Sequence, residues 1–234
     1  MEVGQPKALA TADRDRERRG QIKSRERVRG LAEVYTHDRE VEAMLDLVAD
    51  MFPSASDPAN TDRTFLEPAC GDGNFLVEIL RRKLEHVTPR RYGRGERFEH
   101  RTLRCLASVY GIDICEDNVR EARERMRSVI DGHVEAHLGV EGPTTGFGEA
   151  VEAILGTNVV VGDSLAGGAA IEVVEYRPGS WGTFTREWSR LDPTAGETSR
   201  LPTSPCRDQA PVHYSALRDN PGPVECDDFA SEAA

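Results

Sequence analysis

The stretch Phe65–Leu80, FLEPACGDGNFLVEIL, limits the architecture more than any other part of the chain. It opens as TFLE, a short apolar run of strand character, and breaks at Glu67-Pro68 into turns built on Gly71 and Gly73. It restarts at Asn74 as a helix reaching Glu85, with Phe75, Leu76, Ile79 and Leu80 on one face. Glycine at both turn positions lets the backbone bend sharply and approach a ligand where a Cβ would clash. A strand, a glycine turn and a helix in that order frame a pocket of nucleotide size.

The pattern recurs downstream. LASVYGIDI, Leu106–Ile114, reads as a second strand, and Glu116–Ile130 as a helix packed through Val119, Ala122, Met126 and Val129. A short helix around Val151–Leu155 leads into NVVVGDS, a third strand ending at Asp163. Strand, helix, strand, helix, strand predicts an α/β fold with a parallel sheet and right-handed crossovers. IEVVEY and GTFTREW then read as a β-hairpin over 171–188, turning at RPGSW. Upstream, Val41, Met44, Leu45, Val48, Met51 and Phe52 carry helical spacing over Arg39–Phe52, and PSASDPANTD reads as a linker.

Three segments follow: a polar arm (1–30), a folded domain (31–191) and a tail (192–234). The tail holds six of the 13 prolines and lacks apolar periodicity, so disorder is expected there. The net charge of -11 argues against nucleic-acid binding by the average surface, but basic residues cluster in Arg14–Arg29 and in an insertion over 87–104. Each cluster reads either as a solvated charged segment or as a phosphate contact. The insertion is expected as a loop at the amino edge of the sheet, away from the pocket, which makes the N-terminal arm the better candidate for DNA. No apolar run approaches the roughly 20 residues that span a bilayer, and the first residues lack the apolar core of a signal peptide. A cytoplasmic protein is expected, with five free cysteines and no metal-ligand spacing.

In open parallel sheets, ligands bind beyond the carboxyl ends of the strands. All three strand ends here carry an acid: Glu67, Asp113 and Asp163. Singly, each reads equally as a helix N-cap or a solvated loop residue. Together they suit a ligand with a cationic centre, a ribose and an adenine. A dinucleotide fits poorly, because Leu76 stands where G-x-G-x-x-G needs its last glycine. Asp113 also follows Gly71 by 42 residues, not the about 20 of that fingerprint. S-adenosylmethionine has the required chemistry.

At this point a family resemblance becomes specific. FLEPACGDGNFL resembles motif I of the adenine-N6 DNA methyltransferases of restriction-modification systems, GIDICEDN their motif II and VVGDSL their motif III. AEVYTHDREVEAML resembles the segment that caps the methionine end of the cofactor, with His37 in place of the usual proline. The resemblance spans about Gly30–Leu165 and implies a Rossmann-like class I methyltransferase sheet that is incomplete after its third strand. Carried over, it sets Tyr35 and Thr36 beside the methionine moiety, and Glu67, Pro68, Ala69, Gly71 and Gly73 around the methionine and its ammonium. It sets Asp113 on the ribose hydroxyls, Ile114 against the adenine ring, and Asp163 on the adenine amino group.

The family's catalytic tetrapeptide, Asp/Asn-Pro-Pro-aromatic, does not occur in the chain. The nearest strings are Asp192-Pro193-Thr194 and Asn220-Pro221-Gly222, and Asn220 with Pro221 is the weak catalytic candidate. In the family's strand order, a missing fourth strand leaves TFLE as an open edge. The hairpin covers that edge, or a second chain or second copy does. Two readings therefore stand: a DNA adenine methyltransferase, with the catalytic half supplied by another chain, or a non-catalytic cofactor- or DNA-binding subunit or truncated enzyme.

Overall fold

A computed structural model describes residues 36–165, 171–191 and 206–219. The chain divides into two units between Met44 and Leu45. Helix α1, Asp38–Asp46, crosses that division and is shorter than the apolar spacing predicts; a 3-10 turn, Ala49–Met51, follows it. His37 starts α1 by accepting from the Arg39 N–H at Nδ1 (3.4 Å), while its own N–H donates to the Glu40 carboxylate (3.3 Å). This reciprocal capping fixes the helix start without a proline.

The second unit is mixed α/β. Strands β1 (Phe65–Glu67), β2 (Val109–Asp113) and β3 (Val159–Val161) form a parallel sheet in the order β1-β2-β3. Helix α2 (Asn74–Leu84) leaves β1, and α5 (Glu116–Leu138) leaves β2 and runs two turns past the expected end. Helix α6, Phe147–Asn158, leads into β3. The register pairs Phe65 with Val109 and Glu67 with Gly111. It therefore puts Leu66, Tyr110 and Ile112 on one face and Gly111 on the other, against Leu76 of α2.

The basic insertion is not a loop. It contains α3 (Pro89–Tyr92) and α4 (Glu96–Ala107), the latter burying Phe98, Leu103 and Leu106. Two of its arginines help mask this periodicity because they bind the preceding loop. Arg101 donates to Thr61 Oγ1 (2.8 Å) and lies over the Tyr92 ring, and Arg104 pairs with Asp62. Lys83, fully buried, donates to the carbonyls of Thr61 (2.9 Å) and Arg63 (2.6 Å) and lies over the Phe65 ring. The amino edge of the sheet is thus fixed by cations satisfied by backbone and carboxylate oxygens.

The hairpin is observed as β4 (Ile171–Pro178) and β5 (Thr183–Leu191). It does not cover the β1 edge. Ile171 and Val173 pack against Tyr110 and Ile112, and the Tyr110 hydroxyl donates to the Val174 carbonyl (3.0 Å), so the hairpin caps a face. Among the described residues β1 pairs only with β2, and Leu66 stays 48% exposed.

Part of the expected disordered tail is folded. Strands β6 (Cys206–Arg207) and β7 (Val212–His213) both pair with β5. Arg186 and Asp208, almost completely buried, form a bidentate pair (2.9 and 3.0 Å), and the Arg186 N–H also donates to Asp208 (2.8 Å). The Tyr214 hydroxyl donates to the buried Glu99 carboxylate (2.6 Å), which also accepts from the Thr144 N–H (3.0 Å). Polar anchors of this kind leave no apolar period in the sequence, which is why the segment was unreadable. Cys206 is disulfide-bonded, which corrects the expectation of five free thiols; Cys70, Cys105 and Cys115 are free. No helix among the described residues is long and apolar enough to cross a membrane.

Removing one member of a buried ion pair strands the other. Asp208→Ala is expected to destabilise the protein by about 3–5 kcal/mol, read as a lower denaturant midpoint, and to open 206–219 to limited proteolysis. A midpoint unchanged from wild type would contradict the anchoring role.

His100 supplies a pH-dependent test. Its Nε2 meets the Thr183 carbonyl (3.0 Å) and its ring packs edge-on to Phe184. Burial, with help from Arg104 and Arg101, lowers its pKa to about 4 from 6.5. The unfolded chain then binds the proton first, so stability is intact above about pH 6.5 and declines as pH falls toward 4. His100→Gln is expected to flatten that part of the melting-temperature profile; an identical slope would refute the assignment.

Candidate functional site at the strand carboxyl ends

The site is built around the Asp113 carboxylate. Its Oδ2 accepts from the Gly71 N–H (2.9 Å), and its Oδ1 from the Cys115 N–H (2.8 Å) and the Asn118 amide (3.2 Å). One side chain thereby joins the loop after β1, the end of β2 and the first turn of α5. Its backbone carbonyl accepts from the Gly162 N–H (3.0 Å), bringing in the loop after β3. An ionised carboxylate has about four acceptor positions, and three are already taken by the chain. One position remains.

The two glycines have different tasks. Gly73 begins α2 with φ +92°, and a Cβ there would lie 2.9 Å from the Cβ of Ala122, so its bareness sets the α2–α5 packing. Gly71 has φ +54°, and a Cβ there would meet nothing within 4 Å. That open space borders Asp113 and suits a group held by the loop.

Glu67 curls over the loop and accepts from the Ala69 N–H (3.2 Å). Burial first, then the charges of Asp113, Glu67 and Asp72, push the Cys70 thiol up to about 12. Burial is the larger cause, and the neighbouring carboxylates act in the same direction. Asp72 takes a different part: it pairs with Arg125 (3.1 Å), which also donates to the Asp72 carbonyl and to Asn74 Oδ1 (2.8 and 2.7 Å). Asp163 accepts from the Leu165 N–H (2.9 Å), and the Ser164 hydroxyl donates to the Pro68 carbonyl (2.7 Å), joining the third loop to the first. Ile114 and Val161, ending the second and third strands, are 55% and 51% exposed.

The structure therefore brings together Glu67, Pro68, Ala69, Gly71, Asp113 and Asp163 through direct bonds between their loops. Gly73 acts through packing. Thr36 belongs to the first unit, while Tyr35, Asn220 and Pro221 lie outside the described residues. Sequence reasoning missed Asn118, Arg125 and Ser164. Arg125 had a signal, a basic residue within the apolar spacing of α5, whereas the other two are visible only once the loops meet.

The glycines should separate in experiment. Gly73→Ala is expected to lower stability through left-handed strain and overpacking, about 1–3 kcal/mol for the latter. Gly71→Ala costs strain of about 1–2 kcal/mol without overpacking, so the fold survives, and any ligand held by this loop is expected to bind more weakly. Equal melting temperatures for the two variants, with ligand binding retained in Gly71→Ala, would contradict this division.

Compared with protein-family models, curated proteins and solved structures, the chain finds no match.

Proposed function

We propose that the chain binds S-adenosylmethionine on a Rossmann-like, class I methyltransferase-type half-sheet and serves methyl transfer to an adenine amino group in DNA. The observation that carries this reading is the Asp113–Gly71 bond beside the open Gly71 space, at the carboxyl ends of three parallel strands. The sequence supports it independently, since motifs resembling I, II and III end on those same strands in the same order.

The residues fit the ligand by charge and shape. Glu67 and the acidic loop suit an ammonium or sulfonium, the remaining acceptor position of Asp113 suits a ribose hydroxyl, and Ile114 with Val161 suits an adenine ring. Asp163 supplies an acceptor for the exocyclic amine. S-adenosylmethionine brings an activated methyl group on a sulfonium. What this chain does is bind and orient; in-line transfer depends mainly on such positioning.

A second reading, a cofactor- or DNA-binding partner subunit, is favoured by one observation: the chain contains no Asp/Asn-Pro-Pro-aromatic tetrapeptide to hold a flipped base. The two readings meet if a second chain pairs along β1 and supplies that element. Calorimetric titration with S-adenosylmethionine, followed by labelled-methyl transfer to unmethylated DNA, tests both. Stoichiometric binding is expected, and Asp113→Ala should weaken it about tenfold or more, the scale of a lost charge-assisted hydrogen bond. No binding by the wild type would overturn the cofactor assignment. Binding without transfer points to the partner subunit, and transfer restored by a second chain points to a split enzyme.

A further inference from the structure

Away from the strand ends, α5 carries two histidines one turn apart, His133 and His137, with ring centroids 4.7 Å apart. Residues at i and i+4 share one helix face. Phe98 of α4 holds both: it stacks on His133 (5.4 Å, 22°) and meets His137 edge-on (5.6 Å, 72°). The pair lines a groove of about 480 Å³ between α2 and α5, together with Glu85, Ser128, Arg81 and Arg125.

The bonding of His133 is specific. It hydrogen-bonds to the Val87 backbone carbonyl, and its Nε2 is buried without a partner. A carbonyl only accepts, so Nδ1 carries the proton, and in the neutral imidazole Nε2 is a bare lone pair. A buried acceptor without a donor is rare in folded proteins. Its complement is a hydrogen-bond donor or a Lewis acid; an anion brings only further acceptors. A carbonyl on Nδ1 is also the arrangement that orients histidine for metal ligation through Nε2.

We propose that His133 and His137 form a chelate for an exchangeable divalent transition-metal ion. Imidazole pairs suit zinc, nickel and copper, with copper(II) the tightest of the divalent series. No group of three or more His, Cys, Asp or Glu side chains able to hold a metal gathers among the described residues. The pair is therefore a two-histidine chelate, unlike a closed four-ligand structural zinc site. Glu85, in the same groove, supplies a nearby carboxylate, and Asp72 offsets the charge of Arg125. A bound ion would brace the C-terminal half of α5 against the 85–87 turn, in a groove also lined by Arg125.

Zinc(II) alone, titrated into the full chain by calorimetry at pH 7.5, tests the proposal. A Cys115→Ser background removes the half-buried thiol as a competing ligand. The expected result is one zinc per chain, a raised melting temperature with zinc, and at least tenfold weaker binding in His137→Gln. Copper(II) should bind more tightly at the same stoichiometry. His137 is half-buried, so His137→Gln keeps the fold and remains informative if His133→Gln does not express. As a second readout, zinc should shift the NMR Hε1 signals of both histidines and leave that of His37 in place. Unchanged affinity in His137→Gln, no binding by the parent chain, or unshifted His133 and His137 signals would each overturn it. The readouts need no S-adenosylmethionine, so failure here leaves the cofactor reading intact, and the converse also holds.

Discussion

The Asp113 carboxylate is the contact on which the carboxyl edge of this protein depends. It accepts two backbone N–H groups and one side-chain amide, from three different segments. Hydrogen bonds to an ionised acceptor are roughly twice as strong as neutral ones. It works alongside the backbone bond from the Cys70 N–H to the Ile112 carbonyl (2.9 Å), which also ties the loop after β1 to the end of β2. Asp113 is therefore part of the scaffold of this edge, with one acceptor position left unused by these three bonds.

The opposite edge is built on a different principle. Lys83 binds two carbonyls, Arg101 and Arg104 bind the loop before β1, and Arg186 with Asp208 fastens the C-terminal segment to the hairpin. Buried charges of this kind are costly unless every donor and acceptor is met, and here the partners are backbone oxygens and carboxylates. Two arginines of the basic insertion, Arg101 and Arg104, are thus occupied in holding the fold together. Arg90, Arg91, Arg94 and Arg97 are exposed. The bare Nε2 of His133, near this same end, stands out against so many satisfied polar groups.

Among the described residues, β1 leaves one edge unpaired. The hairpin might have closed it, but the side chains of β4 alternate to suit the Tyr110–Ile112 face instead. Pairing along a parallel edge needs an extended segment in register, and β1 is only three residues long. A short edge resists indiscriminate pairing, so a strand that joins it must bring contacts of its own.

The sequence by itself determined the local pieces. Periodicity located α2, α5, the three parallel strands and the hairpin, and the glycines located the turn between β1 and α2, because these depend on spacing within a few residues. It also placed Glu67, Asp113 and Asp163 at strand ends. Tertiary structure decided the rest. Only packing revealed α4, since its arginines point to a distant loop and hide the apolar stripe. Only packing turned residues 206–219 from a tail into two strands and a clasp, since Tyr214 and Arg186 find their acids 115 and 22 residues away. The division of labour between Gly71 and Gly73 was likewise invisible in GDG, because the neighbour that distinguishes them, Ala122, lies on another helix. A sequence records what each residue prefers next to its neighbours; which distant partner satisfies it is settled when the chain closes on itself.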